Sequence, residues 1–325
     1  MGLHSRKQFL YSLGALSAGA VLVNSSPVPV RNNPRPVAAG PAREPGQKPV
    51  LRMAHLTDIH VKPDRTAEYG MAAALQAVNN LHEPVNGIIN GGDAIMNAVA
   101  LSKSNVKSQW NTFHSILRSE TSLPVYHCVG NHDLFGWMLP SANHEDGKKW
   151  CMDEYAIQKT YYAFTCENWK FVVLDSIHPR KSVPGYLGKI DDEQFYLLEN
   201  ELKNTPEGQY VCIVSHIPIL AICCFFEHDI TNLNKRTIGE TNMHTDSEKL
   251  VELFYRYPAV RTCISGHIHL IDYVNYLGVD YYCNGAVSGH WWRGNHHHFP
   301  PSFSVMNFYK DGTTHREVVY YSWEN

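Results

Sequence analysis

Five short motifs carry the residues of this chain best suited to metal chemistry. In order they are Asp58-Ile59-His60, Gly91-Gly92-Asp93, Gly130-Asn131-His132-Asp133, His216 and Gly266-His267-Ile268-His269. Asp58, His60, Asp93, Asn131, His216, His267 and His269 offer carboxylate, imidazole and amide ligands, and His132 is left over. That set is enough for two metal ions sharing one carboxylate, with a proton donor beside them. Two metals held about 3.5–4 Å apart are a recurring device for hydrolysing phosphate esters. No cysteine belongs to the set, so a closed thiolate site is disfavoured. The mixed donors suit Zn, Mn, Fe or Ni better than Ca or Mg. Two divalent or trivalent transition-metal ions are therefore expected, Mn, Fe or Zn foremost.

Each motif begins where an apolar run stops. Residues 51–57, 86–90, 124–129, 210–215 and 260–265 are short stretches rich in Val, Ile, Leu, Tyr and Cys, the pattern of buried strands. Helical patterns lie between them. Val106, Trp110, Phe113 and Leu117 share one helical face. Asp191 with Gln194 gives a capping-type start ahead of Phe195, Leu198 and Leu202, and Thr245 with Glu248 does the same ahead of Leu250, Leu253 and Phe254. In open α/β sheets ligands bind outside the carboxyl ends of the strands. Five strand-end motifs can thus converge although they span more than 200 residues. Taken singly, each has a plain structural explanation: an Asp after a strand caps a helix, and Gly-Gly-Asp makes a turn. Their joint order and placement outweigh those explanations.

The ordered set resembles the signature of the calcineurin-like metallophosphoesterases over residues 51–269, in the cyclic-nucleotide phosphodiesterase-like or general phosphohydrolase branch. The resemblance implies an α/β fold: two β-sheets packed face to face with helices outside, a four-layer sandwich. It implies a first metal on Asp58, His60, Asp93 and His269. The second would use Asp93, Asn131, His216 and His267, with Asp93 as the bridge. His132 matches the family's non-ligand histidine, which protonates the leaving group or steadies the phosphoryl. A hydroxide bridging two cations is available as a nucleophile near neutral pH, and a departing alkoxide needs a proton. The expected activity is metal-dependent hydrolysis of a phosphomonoester or phosphodiester. Purple acid phosphatases carry a metal-binding Tyr three residues after the Asp of the Gly-Asp motif; Met96 stands there in this chain, so tyrosinate-bound iron is not expected. A non-catalytic scaffold is the competing class, but such a scaffold should lack ligands or His132, and all are present.

Bulk properties bound the alternatives. The 325 residues carry 28 basic and 31 acidic side chains, a net charge of −3, with no dense Lys/Arg cluster. A nuclease would be expected to show a basic footprint, so the favoured partner is a small phosphate ester and no nucleic acid. At the N-terminus, Arg6-Lys7 leads into a mostly apolar run at 9–23, with Ala18-Gly19-Ala20 as a cleavage site. Residues 1–23 thus read as an export signal, of the general secretory kind or a degenerate twin-arginine form. The run is shorter than the about 20 apolar residues a membrane span needs, so no stable span is expected. A periplasmic address follows, or, if the segment is kept, a membrane tether. Residues 24–49 hold seven prolines and read as an extended linker. Residues 50–325 form the catalytic domain. The oligomeric state is not legible.

Of the eight cysteines, Cys128, Cys212, Cys263 and Cys283 lie in apolar runs as small buried hydrophobes. Cys151 and Cys166 could pair, and adjacent Cys223-Cys224 should not bridge each other. Two stretches are candidates for shaping a substrate pocket. One is the long connection 219–244. The other is the loop 284–294, where His290 and Arg293 could grip a phosphate while Trp291 and Trp292 cover a flat or sugar-like group.

Overall fold

A computed structural model describes residues 47–139, 143–181, 183–226 and 237–323. The expected export signal at 1–23 and all but the last three residues of the expected linker lie outside the described residues. The first half of the chain runs β1 (Leu51–Leu56), α1 (Arg65–Asn79), β2 (Gly87–Asn90), α2 (Lys103–Glu120), β3 (Val125–His127), α3 (His144–Tyr155), β4 (Tyr162–Cys166) and β5 (Trp169–Val173). A small hairpin follows, β6 (Ile177–Pro179) and β7 (Tyr186–Gly188), then α4 (Asp192–Lys203) and β8 (Tyr210–Val214). The remainder is α5 (Ser247–Arg256), β9 (Val260–Ser265), β10 (Asp272–Tyr276), β11 (Val279–Cys283), β12 (Ser302–Phe308) and β13 (Thr314–Tyr320).

The strands form two mixed sheets, ordered β13-β12-β1-β2-β3 and β10-β11-β9-β8-β5-β4. Strand–helix alternation produces the parallel centres, β1-β2-β3 and β5-β8-β9-β11, because a parallel neighbour requires a crossover. Antiparallel strands flank the parallel centres, β12 and β13 on one side of the first sheet and β10 and β4 at the two edges of the second. Period-two alternation assigns the faces. Leu51 and Met53 of β1 pack with Phe171, Val173, Val214 and Ile264 of the other sheet, making the layer between sheets. Ala54 and Leu56 face the opposite way, against Met71 and Leu75 of α1 and Trp110 and Phe113 of α2. On the far side, Val211, Ile213 and Tyr281 bury Leu198 and Leu202 of α4 with Leu250, Leu253 and Phe254 of α5. The result is the four-layer α/β architecture, helices outside and sheets within. Each large apolar side chain so buried contributes on the order of 1.5–3 kcal/mol.

Three local expectations differ from the structure. At the start of α4, Asp191 accepts from the Gln194 amide at 2.8 Å. The Gln194 side chain does not turn back, however; it holds both the N–H and the C=O of Asp175, at 2.9 and 3.1 Å. At α5, Asp246 stands at the N-cap, and the Thr245 hydroxyl donates to the Gly188 carbonyl at 3.0 Å. Tertiary partners outbid the local capping pair in both cases. Cys151 and Cys166 are free thiols, as are all eight cysteines: Cys151 is buried in the α1–α3 core, and Cys166 lies 3.7 Å from the Tyr126 hydroxyl.

Candidate metal centre

The parallel strands deliver all five motifs to one edge of the sandwich. Asp58 and His60 follow β1, Asp93 follows β2, and Asn131 to Asp133 form a single 3-10 turn after β3. These come from the first sheet; His216 after β8 and His267 and His269 after β9 come from the second. Neighbouring loops are zipped together, with Asp58 N–H on the Gly92 carbonyl at 3.0 Å and His60 N–H on the Asp93 carbonyl at 2.9 Å. Asp58, His60, Asp93, His267 and His269 all have φ between 49° and 70°. Left-handed backbone is costly for such residues and concentrates where a site needs side chains aimed in one direction.

Two clusters result. In the first, His60 Nε2 lies 3.1 Å from His269 Nε2, and Asp58 Oδ1 lies 3.3 Å from His269 Nε2. In the second, His216 Nε2 lies 3.2 Å from Asn131 Oδ1, 3.2 Å from His267 Nδ1 and 3.3 Å from Asp93 Oδ2. The same Asp93 oxygen is 3.7 Å from His60 Nε2 and so stands between the clusters. The outer ring nitrogens are committed elsewhere. His216 Nδ1 donates to the Gly91 carbonyl at 2.8 Å, His267 Nε2 to Thr241 at 2.9 Å and His269 Nδ1 to Gly289 at 2.6 Å. A carbonyl can only accept, so each ring, whenever it is neutral, turns its lone pair inward; metal-binding histidines are oriented this way. Asp58 Oδ1 is buried and makes no hydrogen bond. Inward-facing ring nitrogens and buried carboxylate oxygens fit two cations.

Burial and neighbouring charges oppose one another across the centre. Burial opposes a charge on His216, but the Asp93 carboxylate outweighs it and raises that imidazole to about 9. Burial likewise opposes charge on Asp93, yet His216 and His132 hold it well below the usual carboxylate range. Burial, reinforced by His132, keeps His60 neutral, and burial with His216 lowers His267 to about 4.

His132 stands beside the ligands, with a ring nitrogen grouped with His60 and Asp93. Its N–H donates to Asp93 Oδ1 at 2.7 Å and its Nδ1 to the Met96 carbonyl at 2.7 Å. Its ring stands edge-on to His60 at 4.8 Å. Asp133, quoted in the motif but given no task by sequence, ties two motifs together. Its carboxylate accepts from the amides of Asp93 (3.0 Å), Ala94 (2.9 Å) and Gly130 (2.9 Å) and from the Tyr155 hydroxyl (2.9 Å). Burial and the Asp93 charge push Asp133 up to about 7, against the Gly130 and Tyr155 donors. Gly130 is required by closeness: a Cβ there would run into the Asp93 amide and carboxylate.

A cavity of about 180 Å³ opens over the centre, lined by His60, Asp93, Asn131, His132, His267 and His269 together with Tyr186, Asn242, Ile268 and Trp291. Of the 284–294 loop, Trp291 reaches it, with its ring 4.5 Å from that of His269. Trp292 is buried and donates to the His60 carbonyl at 2.9 Å. Arg293 is exposed and does not line this cavity. His290 faces His296, Nδ1 to Nδ1, at 2.9 Å. The other candidate stretch contributes Asn242, while residues 227–236 lie outside the described residues. Tyr186 sits on the β6–β7 hairpin in no motif, and nothing in the sequence flags it.

The calcineurin-like phosphoesterase family model matches residues 51–270, and the chain belongs to that family of phosphate-ester hydrolases. In sequence it is similar to the 3',5'-cyclic adenosine monophosphate phosphodiesterase CpdA of Haemophilus influenzae, 22% identical over 230 residues, covering 69% of this chain and 71% of that one. In fold it is similar to a dimetal phosphatase from Danio rerio, with TM-score 0.59 and 15% identity over 85% of this chain and 100% of that one. It also resembles GAP50, the anchor in the inner membrane complex of Plasmodium, with TM-score 0.51 and 15% identity over 83% of this chain and 84% of that one.

Proposed function

We propose that this phosphoesterase hydrolyses a small phosphodiester at a two-metal centre. The observation that carries the proposal is Asp93 Oδ2 lying between two clusters of inward-facing donors. Asp58, His60 and His269 would hold one metal, Asn131, His216 and His267 the other, and Asp93 both. When bound, the metals would supply an activated water nucleophile and neutralise the phosphoryl oxygens. His132 serves as the proton donor to the departing oxygen. Its Nδ1–H is fixed on the Met96 carbonyl, which leaves Nε2 as the nitrogen that exchanges a proton with substrate. The name of the Haemophilus influenzae relative supports a diester over a monoester.

The test is metal content of the purified chain alongside hydrolysis of bis-p-nitrophenyl phosphate and p-nitrophenyl phosphate, with and without Mn²⁺. Two metals per chain and faster diester turnover are expected. Metal binding without turnover of either ester would favour the scaffold class, and faster monoester turnover would overturn the diester assignment.

A further inference from the structure

One side chain of the cavity has a polar group without a task. The Tyr186 ring stands 6.3 Å from the His267 ring, nearly perpendicular to it. Its hydroxyl makes no hydrogen bond to any described residue, although it lies within the field of Asp93 and Asp58. Tyr186 is half-buried, with an apolar ring packed on the fold and a polar tip on the cavity wall, so its hydroxyl is free to donate to a ligand there. Its backbone is well fixed. The preceding Gly185 donates to the Trp137 carbonyl at 3.0 Å, and Gly188 donates to the Glu240 carbonyl at 2.7 Å. The segment after Glu240 carries Thr241, whose carbonyl orients His267. The hairpin therefore places the phenol in register with the second cluster, while His132 stands beside the first.

We propose that the Tyr186 hydroxyl donates a hydrogen bond to a non-bridging oxygen of the phosphoryl group held over the metal centre. Its role is to bind and position the phosphoryl at the second-cluster side, a task distinct from the proton transfer assigned to His132. This rests on the proposed phosphodiesterase reading.

The experiment is calorimetric titration of inorganic phosphate into Mn²⁺-loaded wild type and Tyr186→Phe, with metal content and bis-p-nitrophenyl phosphate kinetics measured on both. Phe keeps the ring and its packing and removes the donor alone. The expected result is unchanged metal content, with phosphate affinity and kcat/KM each about 10- to 100-fold lower, the range for one hydrogen bond to a charged group. Phosphate binding and turnover within about twofold of wild type would overturn the proposal. Loss of metal from the variant would also overturn it, by showing that Tyr186 supports the ligands instead of the substrate. If the wild type binds phosphate but hydrolyses no ester, the phosphodiesterase reading fails, while the affinity comparison still decides the role of Tyr186.

Discussion

His132 donates its backbone N–H to Asp93 and its ring Nδ1–H to the Met96 carbonyl, which leaves Nε2 facing the centre. On the proposed proton-donor role, His132→Ala should keep its metals and lose proton transfer. Esters with basic alkoxide leaving groups should slow by about 10²–10⁴-fold and activated aryl esters much less; equal loss on both would remove the proton-donor role. His216 predicts a pH effect whose sign follows from Asp93. Its metal-free imidazole is raised from 6.5 to about 9, so the ion pair stabilises the metal-free chain fully below pH 6.5. That stabilisation fades as pH climbs through 9. A metal needs the neutral ring, so loading at pH 7 should release a proton. Calorimetry in two buffers of different ionisation enthalpy measures that release, and a buffer-independent heat would contradict it.

Elements decide how closely the motif loops approach. The turn after β3 lies against the loop after β2 at Gly130, with no room for a methyl group. Gly130→Ala should displace Asp93, lower the melting temperature and reduce the metal content measured by elemental analysis; retained metal would show that the loop can yield. Asp133 holds the same junction from beneath. Asp133→Asn leaves one oxygen to serve donors that now occupy two. Its expected cost is about 1–3 kcal/mol, the penalty for buried polar groups left unsatisfied. Denaturant unfolding of the metal-free chain checks this without reference to activity. α3 reaches the site through Tyr155, whose hydroxyl donates to Asp133.

On the scale of the whole molecule, each expected metal would join the two sheets. Asp58 and His60 come from the first sheet and His269 from the second; Asp93 and Asn131 face His216 and His267 across the same divide. Metal therefore stabilises the packed form. At a free metal concentration near 100 times Kd the gain is about 2.7 kcal/mol per site, and for a chain this size 1 kcal/mol shifts Tm by about 2–4 °C. Chelation should lower Tm by about 5–10 °C or more, with recovery on adding Mn²⁺. No described helix is long and apolar enough to cross a membrane. Export remains a proposal carried by residues 1–23, and fractionation of the native host, with antibody detection of the chain outside the cytoplasm, tests it.

What the sequence determined by itself was the family, the donor side chains and the strands that carry them. Donor chemistry is a property of single residues, and strand ends are marked by local apolar runs, so the convergence of Asp58 through His269 and the cores of β1, β2, β3, β8 and β9 were legible. The Asp191 start of α4 was half legible: the cap forms, but Gln194 is drawn to Asp175 in another element. Tertiary structure alone decided which oxygen stands between the clusters and which carbonyls of Gly91, Thr241 and Gly289 orient the imidazoles. It also decided that Trp291, instead of Arg293, reaches the cavity. Consecutive left-handed residues at Trp291 and Trp292 redirect their side chains in a way that residue type does not encode. Tyr186 shows the same limit. Its hairpin is held by Trp137 and Glu240, partners distant in the chain, and a hydroxyl left open to a cavity exists only once the cavity does.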